Sequence, residues 1–499
     1  VTKRTGILLG AILGVLVLAG ALWAFLGNPL APDRAVFAAP VLAPAELAAP
    51  GDGVAAVDGA DDTELSLNLA THQYASSPVL ALTTPEQLDE VSAAVAGLRV
   101  PIVVLPAAPT ADQVEAVRAE AERLGVTAVA NQGVALPDDV AGEFATVRVT
   151  LLKAPADPGP RTYALVADAA TQDLVGALLS PTSGQALVVE GDPRGSVEAV
   201  SAIAADPGAA VLIVGDLAAD DDFQWQLETV LTGVELPGGG QLVAPGKLYV
   251  ALYGHPGSSA LGVLGEQGVD ATIERARQHA APYEALTDMT VVPSLEIIAT
   301  IASAGAGPDG NYSAEADIAT LRPLVDAAGE NGLYVVLDLQ PGRTDFLTQA
   351  KRYEELLALP HVGLALDPEW RLEPDQVHLR QIGSVGIDEV NSVVTWLADF
   401  TREHRLPQKV LILHSFRTDM ITGIDRLDTS RSELAITMHV DGQGAQGAKQ
   451  DTWNVLHRYA PNMPYWGWKN FYDEDSPTML TPQQTMSNVN PTPIFVSYQ

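Results

Sequence analysis

Gly363-Leu364-Ala365-Leu366-Asp367-Pro368-Glu369-Trp370 sets a short uncharged run directly against two carboxylates. A brief apolar run without polar alternation is the pattern of a strand buried on both faces, as in a parallel sheet covered by helices. Seven runs of the same kind accompany it, at 248–252, 291–297, 334–339, 410–413, 434–440, 465–470 and 494–497. Amphipathic segments such as 272–279, 318–328, 346–357 and 388–403 fall between them. Eight β/α alternations over about 250 residues match a (β/α)8 TIM barrel in number and size, and residues 245–499 are assigned to one.

In such a barrel the chemistry sits where strands pass into the following loops. Those positions hold His255, Glu296, Asp338, Asp367, Glu369, His414, His439, Asp441 and Lys469. Taken singly, each could be a structural hydrogen-bonding residue; together they exceed what a dry core tolerates without partners. Trp370, Trp466, Trp468 and Tyr472 are placed to stack on sugar rings, with packing at the barrel mouth as the alternative. Asp367 and Glu369 stand two residues apart, which on a strand puts both carboxylates on one face. Repulsion between neighbouring carboxylates raises one pKa and keeps a general acid protonated near neutral pH. Glu369 is therefore read as proton donor and Asp367 as its orienting partner, the requirement of glycoside cleavage.

The stretch from Gly363 to Glu369 resembles the strand-four signature D-G-x-D-x-D-x-E of chitinase-like (family 18) glycoside hydrolases, and Met438-His439-Val440-Asp441 is similar to their M-x-Y-D. The resemblance implies that Glu369 is the acid, that Asp367 orients an acetamido group, and that Asp441 supports them. Val362 and Ala365 stand where the family has two earlier acids, Val440 replaces its tyrosine, and Asp338-Leu339-Gln340 replaces S-x-G-G. What is implied is a sugar-cleaving barrel more than a chitinase, with Asp338 as a fourth catalytic candidate. His255, Glu296, His414, His439, Trp370, Trp468, Lys469 and Tyr472 are the substrate-binding candidates. The segments Leu406-Pro407-Gln408-Lys409-Val410, His414-Ser415-Phe416, Val440-Asp441-Gly442 and Phe471-Tyr472-Asp473-Glu474-Asp475 are also similar to secreted actinobacterial proteins.

Ahead of the barrel, residues 76–240 alternate strand-like and helix-like segments, and the order seen over 79–130 returns over 164–215. This reads as a duplicated, Rossmann-like α/β domain. It resembles the cell-wall-binding repeats of Gram-positive surface proteins at Gly97-Leu98-Arg99-Val100-Pro101 and at Leu124-Gly125-Val126-Thr127-Ala128-Val129. Pro237-Gly238-Gly239-Gly240 lacks the following helix that a phosphate loop needs, so no nucleotide is expected.

At the N-terminus, Lys3 and Arg4 precede an uncharged run over 7–27 with Trp23 near its outer end. That pattern reads as a cytoplasmic stub and a single-pass signal anchor (1–27), which would place the rest outside the cell. A signal peptide cleaved near Ala38-Ala39-Pro40 is the alternative. Residues 28–75, rich in Ala, Pro, Gly and Asp, read as a flexible linker. The chain has no cysteine, which removes disulfides, thiol catalysis and lipidation. A net charge of −34 speaks against nucleic acid.

The sequence thus points to an extracytoplasmic glycoside hydrolase acting on a carbohydrate or cell-wall polymer, held to the membrane by its N-terminal helix. No cofactor and no metal is assigned. A non-catalytic wall-binding protein is one alternative. A metal-dependent hydrolase using Glu296, Asp338, His414, His439 and Asp441 is the other, although no His-x-His or His-Glu-x-x-His pair occurs.

Overall fold

The computed structural model describes residues 45–48, 54–148, 159–219 and 222–499. Its C-terminal part is a closed barrel of eight parallel strands: Lys247–Gly254, Thr290–Ala302, Tyr334–Leu339, Val362–Leu366, Lys409–Ser415, Leu434–Val440, Tyr465–Asn470 and Phe495–Tyr498. The eighth strand pairs back onto the first, Val250 beside Val496, and closes the ring. With helices outside, this is a (β/α)8 barrel.

Side chains alternate along each strand. Leu248, Val250, Leu252, Val335, Leu337, Leu411, Leu413, Ile436 and Met438 share one apolar cluster with the outer helices. Tyr249, Ala251, Val292, Tyr334, Val336, Ala365, Val410, Ile412, Ala435 and Phe495 form a separate cluster inside the barrel. The helices supply the complementary face: in Ile387–Glu403 the buried Val390, Val393, Val394 and Leu397 recur at three- and four-residue spacing. Leu236 and Val243, from the segment leading into the first strand, join the interior cluster at the amino-terminal end of the strands and plug that end. The opposite end, where the strands finish, is left to polar side chains.

Before the barrel lie two four-stranded sheets, all of whose pairings are parallel. One runs in the order Ile102–Val104, Val79–Thr83, Ala128–Gln132, Ala145–Thr146. The other runs Gln185–Val188, Thr162–Val166, Ala210–Val214, Val54–Val57. The second-first-third arrangement recurs, but the outer strand of the second sheet comes from upstream of the first. The expected linker therefore ends earlier than residue 75. Val54–Val57 is a strand, and Asp62–Gln73 is a helix whose first turn is capped by the Asp61 side chain.

Among the described residues no helix is long and apolar enough to cross a membrane. The anchor expected at 7–27 lies outside the described residues, and the single-pass membrane location that rested on it does not stand.

Candidate active site

Each strand of the barrel brings a polar side chain to its carboxyl end on the inward face: Tyr253, Glu296, Asp338, Asp367, His414, His439 with Asp441, Lys469 and Ser497. All follow the parity of the interior cluster, two residues beyond its members Ala251, Val336, Ala365, Ile412 and Phe495 in five of the strands. The period-two backbone alone thus converges them on one mouth.

His414 is the hub. Its Nε2 is 2.7 Å from Glu296 Oε1 and its Nδ1 is 3.0 Å from Asp441 Oδ2. Burial alone would lower its pKa, but the charge of Glu296 and the bond to Asp441 outweigh it and hold the imidazole well above the ordinary histidine range. Asp441 responds in the opposite sense: burial would raise it, while the His414 bond and the His414 and Lys469 charges hold it below the usual carboxylate range. His439, with its ring centroid 4.8 Å from that of His414, is driven well below the usual range by burial and by the His414 charge. Its Nε2 lies 3.2 Å from Ser497 Oγ. Asp338 accepts from the Tyr253 hydroxyl at 2.8 Å, and burial pushes its carboxyl up to about 6. Lys469 holds its Nζ 3.6 Å from the centre of the Tyr253 ring.

The Asp367–Glu369 pair is arranged differently from the strand-face expectation. Its strand stops at Leu366, and Pro368 opens a 3-10 turn from Pro368 to Trp370 that Asp367 caps through its side chain. The Glu369 N–H donates to Asp367 Oδ1 at 3.2 Å. Proline lacks the N–H a strand ladder uses and fixes its own φ, so the chain turns there. Asp367 is buried, and burial together with the Asp338 charge raises its carboxyl well above the ordinary value. Glu369 is half-buried at the mouth; burial, then the Asp441 charge, push it up to about 7 against the pull of Lys469 and His414.

Four atoms in this cluster are buried without a hydrogen-bond partner: Glu296 Oε2, Asp338 Oδ1, His439 Nδ1 and Asp441 Oδ1. Three are carboxylate oxygens, and the fourth belongs to an imidazole held neutral.

The other expected residues are distributed as follows. His255 directly follows the first strand, its Nδ1 2.9 Å from the Ile298 carbonyl oxygen. Trp370 stands beside Glu369 with its ring 5.4 Å from His378, whose Nε2 lies 2.8 Å from the Tyr312 carbonyl oxygen. Trp466 and Trp468 have the outward parity: they pack on Trp453 of the helix Gln446–Tyr459, and Trp466 stacks on His457 at 3.5 Å. Neither can stack on a ligand in the mouth. Tyr472 is also outside the cluster, its hydroxyl 2.6 Å from His279 Nε2. Tyr253, Gln340 (3.3 Å from the Tyr253 hydroxyl) and Ser497 were missed; continuing the period-two count to the end of every strand would have found Tyr253 and Ser497.

The fold and site together define a (β/α)8 barrel with an acid–histidine cluster at the carboxyl ends of its strands. No family model and no curated protein matches the chain. Solved structures similar to part of it include the following two. One is a xylanase and α-amylase inhibitor protein from Scadoxus multiflorus, at 13% identity over 51% of this chain and 93% of that one, with a TM-score of 0.32. The other is a GH5-4 broad specificity endoglucanase from Clostridium cellulovorans, at 12% identity over 53% of this chain and 88% of that one, with a TM-score of 0.31.

Proposed function

We propose that the barrel hydrolyses an O-glycosidic bond in a carbohydrate, with Glu369 as the proton donor. The observation that carries this reading is the pairing of opposites at the mouth. Glu369 is a half-buried carboxyl held protonated to about pH 7, and the Asp441 charge that helps to hold it there is itself kept ionised by His414. A protonated acid and a fixed anion in one site are what an oxocarbenium-like transition state needs. Glu369 gives its proton to the leaving oxygen. Asp441 turns an unpartnered Oδ1 toward the positive charge that develops on the sugar, or toward the water that attacks it. Asp367, its carboxyl raised well above the ordinary value by burial, fixes the Glu369 backbone and stands where it can hold a substrate oxygen. Trp370 is the remaining aromatic beside the acid. We also read the recurring second-first-third strand order ahead of the barrel as a duplicated unit.

The test is release of reducing ends from a panel of polysaccharides and chromogenic glycosides by the full chain, beside Glu369→Gln. Activity on one substrate that disappears in the variant supports the reading. No release from any substrate, or turnover that survives Glu369→Gln, overturns it.

A further inference from the structure

The inner half of the cluster has a second character, independent of which bond Glu369 acts on. One ligand atom each from Glu296, His414 and His439 lies within 4.8 Å of the others, and all three side chains are fully buried. Both imidazoles are fixed from behind. Asp441 holds Nδ1 of His414 at 3.0 Å, and Ser497 holds Nε2 of His439 at 3.2 Å. The nitrogens this leaves are His414 Nε2, 2.7 Å from Glu296 Oε1, and His439 Nδ1, which has no hydrogen-bond partner. A histidine oriented by a carboxylate or hydroxyl on its far nitrogen is how proteins present imidazole to a metal. Donor atoms sharing an ion tetrahedrally through bonds of ~2.0–2.2 Å lie ~3.3–3.6 Å apart, so the Glu296–His414 pair, 2.7 Å apart, would have to open by ~1 Å or less to admit one. The unpartnered atoms here are acceptors: Glu296 Oε2, Asp338 Oδ1 at 3.9 Å from His414 Nε2, and His439 Nδ1.

We infer that Glu296, His414 and His439 form the binding site of one divalent transition-metal ion of the zinc class. Two imidazoles and a carboxylate suit zinc and its neighbours and not magnesium or calcium, which take oxygen ligands. Three protein ligands leave a coordination position open. The hydrogen that joins His414 Nε2 to Glu296 Oε1 is what the ion would replace. The rival explanation is that these acceptors receive only the hydroxyls of a sugar.

The full-length chain, stripped with a chelator, is titrated with zinc chloride by calorimetry, and its metal content is measured after dialysis. One zinc per chain is expected, with magnesium and calcium taken up at least 100-fold more weakly. His414→Ala and His439→Ala should abolish uptake, and Ser497→Ala should weaken it about 10-fold, as loss of an orienting partner does. Glu369→Gln should bind zinc as the parent does. If the histidine variants do not fold, Ser497→Ala and Glu296→Gln carry the test. No stoichiometric uptake overturns the inference, and so does uptake unchanged by these substitutions, which would mark an ion on the acidic surface. No sugar is present in this experiment, so its outcome is separate from that of the Glu369→Gln assay.

Discussion

Asp441 and Glu296 sit on opposite nitrogens of one imidazole: His414 spans 3.0 Å to the first and 2.7 Å to the second. This bridge ties the sixth strand to the second across the mouth through the fifth. It also fixes the Asp441 charge that Glu369 feels.

Activity should follow the Glu369 proton. A general acid works while protonated, so kcat/KM should be level below about pH 7 and fall tenfold per unit above it. Removing a nearby negative charge lowers a carboxyl pKa, so Asp441→Asn should move that fall to lower pH. Glu369→Gln should cost ~10²–10⁴ in rate and abolish the alkaline limb. A pH–rate profile of the three proteins on one substrate checks this; an alkaline limb that survives in Glu369→Gln would assign it to another group.

Lys449 and Asp475 form a buried ion pair at 2.6 Å, and the same ammonium donates to the Lys469 carbonyl at 2.8 Å. Lys449→Met leaves the Asp475 carboxylate without its cation and should destabilise the fold by ~3–5 kcal/mol. The double change Lys449→Met, Asp475→Asn should recover part of the loss. Denaturant unfolding measures both.

Lys409 is fully buried, and its Nζ donates to the Leu359 and Val362 carbonyls at 3.0 and 2.7 Å. Burial pushes its pKa down to about 7, below the unfolded value near ~10.4. Between these values the unfolded chain holds the proton and the folded chain does not, so stability rises with pH. Below about pH 7 both states are protonated, and the cost of the buried charge is fully present. Unfolding free energy of the parent should therefore increase from pH 7 to pH 10 more steeply than that of Lys409→Met. Parallel curves would show that Lys409 keeps its charge when folded.

Gly467 lies under His439 on the inward face of the seventh strand, where an added Cβ would stand 2.7 Å from His439 Cδ2. Gly467→Ala should cost ~1–3 kcal/mol by overpacking and displace the imidazole. The shift should appear in the His439 ring resonances and as a loss of turnover larger than the loss of stability explains.

The barrel was legible because its strands are short, mainly apolar runs separated by amphipathic helices, and both patterns are local. Its chemistry was legible where a charged residue falls near the end of such a run or just after it, as at Asp338, Asp367 and His414. The errors have identifiable causes. Asp367 and Glu369 were placed on one strand face because spacing was counted through Pro368, where the ladder stops. Trp468 was placed in the mouth by its position near a strand end, yet Lys469 beside it has the inward parity, so Trp468 must face the helices. The helix Asp62–Gln73 went unread because it buries Thr63, Ser66 and Gln73 along with Leu65 and Leu69, leaving little apolar periodicity. Which nitrogen of His414 meets which carboxylate depends on strands far apart in sequence, and no local pattern carries it.

The strand Val54–Val57 has a consequence for how this chain can be divided. Since it completes the edge of a sheet whose other members begin at Thr162, the first half cannot be excised or exchanged as a cassette. A chain starting after it would present Ala210–Val214 as an open rim of unpaired amides, a template for pairing with another molecule. The two sheets are interleaved in sequence, so recombination between such genes would have to carry them together, with its breakpoints outside both.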